Sequence, residues 1–335
     1  VLLRTLRHGN VCSKEWVVRQ YDHEVQGGSA IKPLVGAEGR GPGNAAVITP
    51  LHGNRRGVVV GCGINPRYGD LDPYRMATCA VDEAIRNVVA VGADPTRIAL
   101  LDNFSWGNCN EPDVLGAMVR AARGCYDAAV LFSAPFISGK DSLHNEFRGE
   151  EGTIRIPHPL LISAMGQMDD VARAVTSDAK APGNRLVLVG ETWDETGGGF
   201  LEGTGGAVPA VRDTAPAVMS EVARLINEGR VRSCHDLAEG GLAVAAAEMA
   251  IGGDLGVRID PDAIPLGEPV DRRDVKLFSE SASRFLLEVE GEIDLDVPHA
   301  VVGEVTEERS IDMGPSLRVP LQAARDAFFH WETVL

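Results

Sequence analysis

The sequence predicts a mixed α/β (α+β) fold arranged in two domains. Its 335 residues are enough for two cores of ordinary size. Short apolar runs typical of strands alternate with longer segments of helical periodicity along the chain. A polar connection at residues 169–182 separates two such series. We therefore place the first domain in residues 1–175 and the second in residues 176–335.

The first domain opens with short elements. Residues 1–6 form an apolar run, and residues 14–21 have a helical pattern. Residues 44–48 and 57–60 are predicted to be neighbouring strands, because a turn at residues 52–54 separates the two apolar runs.

A Gly/Pro-rich loop at residues 61–73 leads into a long helical pattern at residues 76–91. Apolar residues recur on this segment at helical spacing, and Gly92 ends it. Residues 97–101 are then predicted to form a short buried strand, with Asp102 at its end.

Glu83 and Asn87 stand four residues apart on the predicted helix, so their side chains leave the same face one turn apart. Together with Asp102 they are able to form part of an oxygen-rich Mg²⁺ site. The spacing alone favours the simpler alternative, which is a solvated helix face and an ordinary Asp at a strand end.

The rest of the first domain is predicted to contain a helix at residues 112–126, extended pieces at 129–131 and 135–137, and a buried strand at 160–165. Between these elements, Ser138-Gly139-Lys140-Asp141-Ser142 is typical of a flexible loop able to meet an anion. It is not a Walker loop, because the four-residue spacer between glycines is missing.

The second domain continues the alternation of strands and helices. Strands are predicted at residues 185–189, 231–234, 256–259, 283–289 and 300–305, and helices at residues 217–227 and 242–251. The glycine cluster at residues 197–199 is typical of a tight turn, with a ligand-cradling loop as the alternative. Asp236 follows a strand and precedes a helix, a position that suits either a ligand or an N-cap.

Composition narrows the function classes. The formal charge of −16 argues against a nucleic-acid surface, which needs a basic stripe. It does not exclude phosphate ligands, which backbone amides or a cation can hold. No run approaches the roughly 20 apolar residues that span a bilayer. Six scattered cysteines without a C-x-x-C pair favour reduced thiols in a cytoplasmic protein. A first residue other than Met favours a fragment or a processed chain.

An ordered series of motifs resembles phosphoribosylformylglycinamidine synthase, a family of purine biosynthesis, and specifically its C-terminal half. The motifs are YDHEVQG (21–27), GPGNAAVI (41–48), GINPRYGDLDPYRMATCAVDEAIRN (63–87), VGADP (91–95), DNFSWGN (102–108), SGKDSLHNEF (138–147), CHDLAEGGLAVAAAEMA (234–250) and LFSESASRF (277–285).

The resemblance implies a unit similar in fold to aminoimidazole ribotide synthetase (a PurM-like unit). Such a unit has an N-terminal αβ domain, whose strands form a barrel shared with a partner unit, and a C-terminal α/β sandwich domain. It also implies an ATP-dependent ligase. In that reaction ATP phosphorylates the amide oxygen of formylglycinamide ribonucleotide, ammonia attacks the imidate carbon, and phosphate leaves, while Mg²⁺ offsets charge.

The resemblance carries metal and nucleotide roles onto particular residues. A ligand motif Glu-x-x-x-Asn of the long family form matches Glu83 and Asn87, and its His-Asp motif matches Asp236 as the third metal ligand. Two positions depart from the family. Asn44 stands where a further ligand Asp is expected, and Ala238 replaces a Ser that contacts the nucleotide.

The short family form implies contacts in the catalytic cleft. Asp102 and Gly139 would contact ATP, and Ser142 would contact the substrate. Lys140 replaces a metal-binding Asn in this loop, so we expect it to contact phosphate as a point charge instead.

No catalytic residue is assigned in this chain. The family's proposed catalytic His belongs to the first unit, and His8 is offset from that arrangement. The resemblance therefore implies an incomplete enzyme whose partners are the N-terminal half and a glutaminase subunit or domain that supplies ammonia. An exposed barrel edge would favour a homodimer of the isolated half.

Two alternatives remain at this point. One is a non-catalytic structural or regulatory nucleotide-binding unit, which Asn44 and Ala238 favour. The other is a free-standing ATP-dependent enzyme resembling aminoimidazole ribotide synthetase. Against the second, the Asp that binds Mg²⁺ on the equivalent helix of that enzyme aligns with Asn87.

Overall fold

A computed structural model describes residues 1–24, 26–150, 152–201, 206–315 and 317–330. Its helices are α1 (Leu2–Arg7), α2 (Glu15–Val18), α3 (Pro66–Gly69), α4 (Pro73–Ala90), α5 (Pro112–Phe132), α6 (Ala215–Asn227), α7 (Gly241–Gly253), α8 (Arg273–Phe278) and α9 (Leu321–Phe328).

The strands of the first domain are β1 (Ser29–Ile31), β2 (Leu34–Val35), β3 (Gly41–Pro42), β4 (Ala46–Ile48), β5 (Gly57–Ile64), β6 (Ala99–Ser105), β7 (Phe136–Ser142), β8 (Glu146–Gly149), β9 (Gly152–Arg155) and β10 (Leu160–Met168). Those of the second are β11 (Arg185–Val189), β12 (Ser233–Asp236), β13 (Gly256–Ile259), β14 (Phe285–Val289), β15 (His299–Thr306), β16 (Ser310–Asp312) and β17 (Arg318–Pro320).

The first domain is built on a six-stranded sheet in the order β1-β4-β5-β10-β6-β7. Its pairs are antiparallel except β6 and β7, which run parallel. The hairpin of β4 and β5 confirms the predicted pairing of the two apolar runs. Within the described ranges the sheet is open and does not close into a barrel.

Helix α4 begins where the sequence chemistry requires it. The Asp72 side chain accepts hydrogen bonds from the backbone N–H groups of Tyr74 and Arg75, and Pro73 occupies the first turn. Gly92, at φ 108°, takes the left-handed conformation that ends the predicted helix. Most of α4 is buried, because it is covered by the sheet on one side and by other helices on the other.

Several elements differ from their predicted extents, and one helix and one strand differ in ways that change an assignment. Helix α5 continues to Phe132, because Ala121, Cys125, Ala128 and Phe132 extend its buried face at helical spacing. The predicted strand at 129–131 is therefore wrong. Strand β6 runs to Ser105, so Asp102 lies within the strand and not at its end.

The second domain contains a seven-stranded sheet in the order β12-β14-β11-β15-β13-β16-β17. Val187 and Val189 of β11 face the core formed with α4, α5 and α6. Leu186 and Leu188 alternate to the other face, against α7, α8 and α9. Helices α4 and α5 of the first domain, together with α6, thus lie between the two sheets.

The N-terminal helix packs on the second domain. Leu2 and Leu6 of α1 are fully buried in the core that contains α7 and α9. The domain boundary at residue 175 stays a prediction, and α1 shows that the packing crosses it.

The face of the first sheet that lies opposite α4 is uncovered. We call it the open face and define it by the exposed side chains of Ile48, Val60, Ile64, Met165 and Ile137. A groove of about 680 Å³ runs along one end of the open face.

No helix among the described residues is long and apolar enough to cross a membrane.

Candidate functional site

Parallel pairing of β6 and β7 brings together two motifs that are far apart in sequence. Asp102 lies opposite Gly139, Asn103 opposite Lys140, and Ser105 opposite Ser142. All four residues predicted for the catalytic cleft therefore lie on these two strands. The segment predicted as a flexible loop is in fact strand β7, which is mostly exposed. Among the described residues it is an edge strand of the sheet.

Strand alternation divides these residues between two faces. Asp102 shares the helix side of the sheet with buried Ile162, whereas Lys140 and Ser142 share the open face. Because β7 is the edge strand, a ligand at that edge is able to reach both faces.

Gly139 is required beside Asp102. A Cβ at this position would collide with the Asp102 carboxylate. Burial raises the pKa of Asp102, and the nearby Asp141 carboxylate raises it further. This carboxyl is therefore held close to a stretch of backbone that lacks side-chain bulk.

Lys140 and Ser142 form a pair on the open face. The Lys140 ammonium group donates a hydrogen bond to the Ser142 hydroxyl. Lys140 forms no ion pair among the described residues, so its charge remains available to an anionic ligand.

A second cluster lies at the junction between the two domains. Glu83 Oε2 accepts hydrogen bonds from the Ile64 backbone N–H (3.0 Å) and the Asn65 side-chain amide (2.8 Å). Asn87, one turn further along α4, donates to the Cys62 carbonyl at 2.9 Å. The predicted sharing of one helix face by Glu83 and Asn87 holds in the structure, since both reach β5 and its following turn.

Asp236 reaches the junction from β12 of the second domain. Its Oδ2 accepts a hydrogen bond from Arg86 Nε at 3.1 Å, and Arg86 also pairs with Asp82. All three side chains are buried. Burial lowers the pKa of Arg86, but the Asp82 and Asp236 carboxylates more than reverse this, so the net pKa is raised. Asp236 is not an N-cap, because Gly240 holds that position of α7.

Asn44 is engaged by the second domain. Its side-chain amide donates to the Cys234 carbonyl (3.1 Å), and its Oδ1 lies 2.6 Å from His235 Nδ1. His235 Nε2 lies 3.0 Å from Glu248. Burial lowers the pKa of His235, but Glu248 more than reverses this, so the net pKa is raised.

Carboxylates outnumber cations at the junction. Burial raises the pKa of Glu83, and neighbouring Glu239 and Asp236 raise it further. Burial and Glu280 raise the pKa of Glu239 to about 7. A buried site with unneutralised carboxylates either retains protons or takes a cation.

The donor set at the junction fits Mg²⁺ chemistry. Among the described residues, Glu83 Oε1 and Asn87 Oδ1 accept no hydrogen bond, and both are hard oxygen donors. No group of three or more His, Cys, Asp or Glu side chains in the described ranges is placed to hold a metal. The predicted triad contains only two carboxylates, so its ligand role stays a prediction.

Sequence reasoning missed Arg86 and Glu239. Arg86 lies three residues after Glu83, and Asp236 is 150 positions further along the chain, so no local spacing indicates their contact. One signal was present: an Arg four residues after Asp82 on a predicted helix suggests an ion pair.

His8, to which no catalytic role was assigned, packs edge-on against Phe200, with ring centroids 4.8 Å apart.

Comparison with known proteins gives two family matches. The model of the AIR synthase related protein N-terminal domain matches residues 42–156, and that of the C-terminal domain matches residues 181–314. Phosphoribosylformylglycinamidine synthase subunit PurL of Deinococcus radiodurans is 35% identical over 326 residues, covering 92% of this chain and 42% of that protein. The same subunit of Methanocaldococcus jannaschii is 36% identical, covering 87% of this chain and 39% of that protein. The chain thus spans less than half the length of these relatives.

Solved structures show the same fold. Thermotoga maritima PurL complexed with ADP aligns with a TM-score of 0.68 at 22% identity, covering 92% of this chain and 49% of that chain. The same protein complexed with FGAR gives a TM-score of 0.67 at 21% identity, covering 90% and 50%. The HypE–HypF complex gives 0.60 at 15% identity, covering 83% and 92%.

Proposed function

The chain belongs to the AIR synthase related family, and on that premise we propose that it forms the C-terminal half of an ATP-dependent phosphoribosylformylglycinamidine synthase. In this role it supplies nucleotide and substrate contacts to a cleft completed by the N-terminal half. We place the reaction, a step of purine biosynthesis, in the cytoplasm.

One observation carries the proposal. The parallel register of β6 and β7 sets Asp102 beside Gly139 at an accessible sheet edge. On the same edge strand, Lys140 and Ser142 share one face and are joined by a hydrogen bond. We assign Asp102, Gly139 and Lys140 to the nucleotide and Ser142 to the substrate. In support, structures of Thermotoga maritima PurL have been solved with ADP, ATP and FGAR.

The reaction places distinct demands on these residues. The amide oxygen of the substrate attacks the γ-phosphorus of ATP and ADP leaves, then ammonia adds to the imidate carbon and phosphate leaves. Lys140 would offset charge on a phosphate group, and Ser142 would orient the substrate by a hydrogen bond. The uncovered sheet edge needs closure by a partner, because water would hydrolyse the activated imidate.

For the metal, we propose Glu83, Asn87 and Asp236 as the residues that would hold Mg²⁺ at the domain junction. When bound, Mg²⁺ would neutralise phosphate charge. Its two carboxylate ligands come from different domains, so Asp236 must be positioned against α4 before binding, a task that Arg86 performs.

The open face indicates the principal partner. We propose that the N-terminal half of the same enzyme covers it, since exposed apolar side chains on a sheet mark an interaction surface. A second copy of this chain would take that place when the other half is absent. Ammonia would come from a glutaminase subunit or domain. The solved PurLQS assembly of Thermotoga maritima is consistent with further subunits.

A structural role is the second candidate for the junction cluster. Asn44 uses its amide group to connect β12 to the first domain, and Arg86 supplies an internal cation between Asp82 and Asp236. Both contacts would join the domains without any ligand.

Substrate binding to Ser142 tests the proposal. Formylglycinamide ribonucleotide would be titrated by calorimetry into this chain mixed with the N-terminal half. Ser142→Ala should weaken binding about tenfold. Ser138→Ala lies on the same face of β7, four residues earlier, and should leave affinity unchanged. Equal affinities for the wild type and Ser142→Ala would remove Ser142 from the substrate site.

A further inference from the structure

A buried carboxylate links three segments at the cleft between the domains. Glu280 is only 5% exposed. Its Oε2 accepts a hydrogen bond from the Tyr68 hydroxyl at 2.5 Å. Its Oε1 accepts the backbone N–H groups of Gly240 (2.8 Å) and Phe200 (3.2 Å). Tyr68 belongs to the short helix α3 before α4, Phe200 follows the glycine cluster at residues 197–199, and Gly240 caps α7.

Close approach to Glu280 and Tyr68 explains the glycine cluster. A Cβ at Gly199 would lie 2.9 Å from the Glu280 carboxyl group. A Cβ at Gly198, which has φ 77°, would lie 2.8 Å from the Tyr68 ring. The cluster therefore packs on side chains of the protein itself, in addition to making a tight turn.

The segment that carries Glu280 is held rigidly. Arg284 is fully buried and donates to the Ser279 carbonyl (2.6 Å), the Ser281 carbonyl (2.9 Å) and the Thr192 hydroxyl (2.8 Å). Ser283 has a left-handed φ of 59°, and its N–H and hydroxyl both donate to Asp82 of α4. The turn at residues 279–284 is thus fixed to both domains.

We propose that Glu280 is a positioning residue that holds helix α3 and the glycine cluster at residues 197–199 together and so aligns the two domains at the junction cluster. The same stretch of chain contains Tyr68, Asn65 and the α4 residue Glu83, whereas Gly240 lies four residues after Asp236. Fixing Tyr68 to Gly240 through one carboxylate therefore sets the proposed metal ligands of the first domain, Glu83 and Asn87, against Asp236 of the second domain. The consequence for ligand affinity rests on the proposed function, whereas the consequence for the loops does not.

The chain offers a matched control in Glu288. This carboxylate is also buried and accepts the N–H groups of Lys180 (2.8 Å) and Ala181 (3.0 Å), but its partners all belong to the second domain. Removing this carboxylate breaks a comparable set of buried hydrogen bonds but leaves the contacts at the junction in place. Tyr68→Phe removes only the contact between the domains.

Hydrogen exchange on the ligand-free chain tests the positioning role. Glu280→Ala should accelerate exchange about tenfold or more at the amides of Phe200 and Gly240, and at Leu71 and Asp72, which donate to the Tyr68 carbonyl. Glu280→Gln retains an acceptor oxygen and should restore most of the protection. Glu288→Ala should instead accelerate hydrogen exchange at the amides of Lys180 and Ala181. Unchanged exchange at Phe200 and Gly240 in Glu280→Ala would overturn the proposal.

Calorimetry with ADP and Mg²⁺ gives the second readout. Glu280→Ala and Tyr68→Phe should each weaken ADP binding about tenfold, with Glu288→Ala unchanged. Equal affinity in wild type and both junction variants would contradict the alignment role. If the wild type binds no ADP, the proposed nucleotide site fails, and the exchange experiment still decides the role of Glu280.

Discussion

The electrostatics of the junction can be measured through Glu239, because its ionisation makes the free energy of unfolding depend on pH. Its pKa is raised from an ordinary 4.5 to about 7, because burial and the Glu280 carboxylate disfavour its ionised form. At low pH the carboxyl is protonated in both folded and unfolded states. As the pH rises from 4.5 towards 7, the unfolded state releases its proton first, so the free energy of unfolding falls.

Glu239→Gln should remove this pH dependence, because an amide does not ionise. Above pH 7 we expect the variant to be more stable than wild type by roughly 1–3 kcal/mol, and below pH 4.5 the difference should disappear. Urea unfolding in the presence of a chelator, at several pH values across this window, measures it. Glu292→Gln, at an exposed position, should change nothing. A variant less stable than wild type at high pH would show that the Glu239 charge is compensated.

Gly139 tests the geometry of the proposed nucleotide contact. In Gly139→Ala the new methyl group displaces the Asp102 carboxylate, so ADP affinity should fall about tenfold. Stability should change little, because β7 is an exposed edge strand. Gly116→Ala in α5, with open space around it, is the control and should leave affinity unchanged. Undiminished ADP binding by Gly139→Ala would exclude this approach of the nucleotide.

At the scale of elements, the contact between β5 and α4 holds the first domain together. A Cβ at Gly63 would collide with the Ala80 carbonyl and the Ala84 backbone N–H of α4. Gly63→Ala should therefore destabilise the chain by about 1–3 kcal/mol through overpacking. Chemical unfolding compares it with Gly9→Ala, where no atom lies within 4 Å of the new methyl group. Equal stability of the two variants would mean that α4 shifts without cost.

The sequence was sufficient for elements whose own chemistry marks them. Helical periodicity and Gly92 predicted α4, although the predicted start at residue 76 lies three residues after the observed start at Pro73. The apolar run at Arg185–Val189 became β11 as predicted. It was insufficient for β7, because polar residues in an uncovered edge strand have the composition of a loop. Asp102 was misplaced at a strand end for the same reason: pairing with Ile162 and Gly139, rather than local apolarity, keeps it within β6.

The candidate site was predictable only in part, because several of its contacts join residues of different domains. Glu83 and Asn87 share a helix face by periodicity, which the sequence contains. The partners of Asp236 and Glu280 come from the other domain, and neither Arg86 nor Tyr68 is indicated by spacing. Such contacts depend on how α4 packs between the two sheets.

At the scale of the whole molecule, the open face governs association. The chain alone should form dimers in solution, because a second copy would bury the exposed apolar side chains of Val60, Met165 and Ile137. Light scattering measures the mass. Met165→Glu should give monomers by placing a charge in the buried centre, whereas Val119→Glu on the exposed side of α5 should not. A monodisperse wild-type monomer would count against this surface as an interface.

The division of the site between two halves is the central claim, and one assay tests it. Amidine formation from formylglycinamide ribonucleotide would be measured with ATP, Mg²⁺ and ammonium chloride, first with this chain alone and then after mixing it with the separately expressed N-terminal half. We predict activity only in the mixture, and its loss when Asp102→Asn or Ser142→Ala replaces the wild-type chain. Activity of the chain alone, or an inactive mixture in which the two halves associate, would contradict the claim.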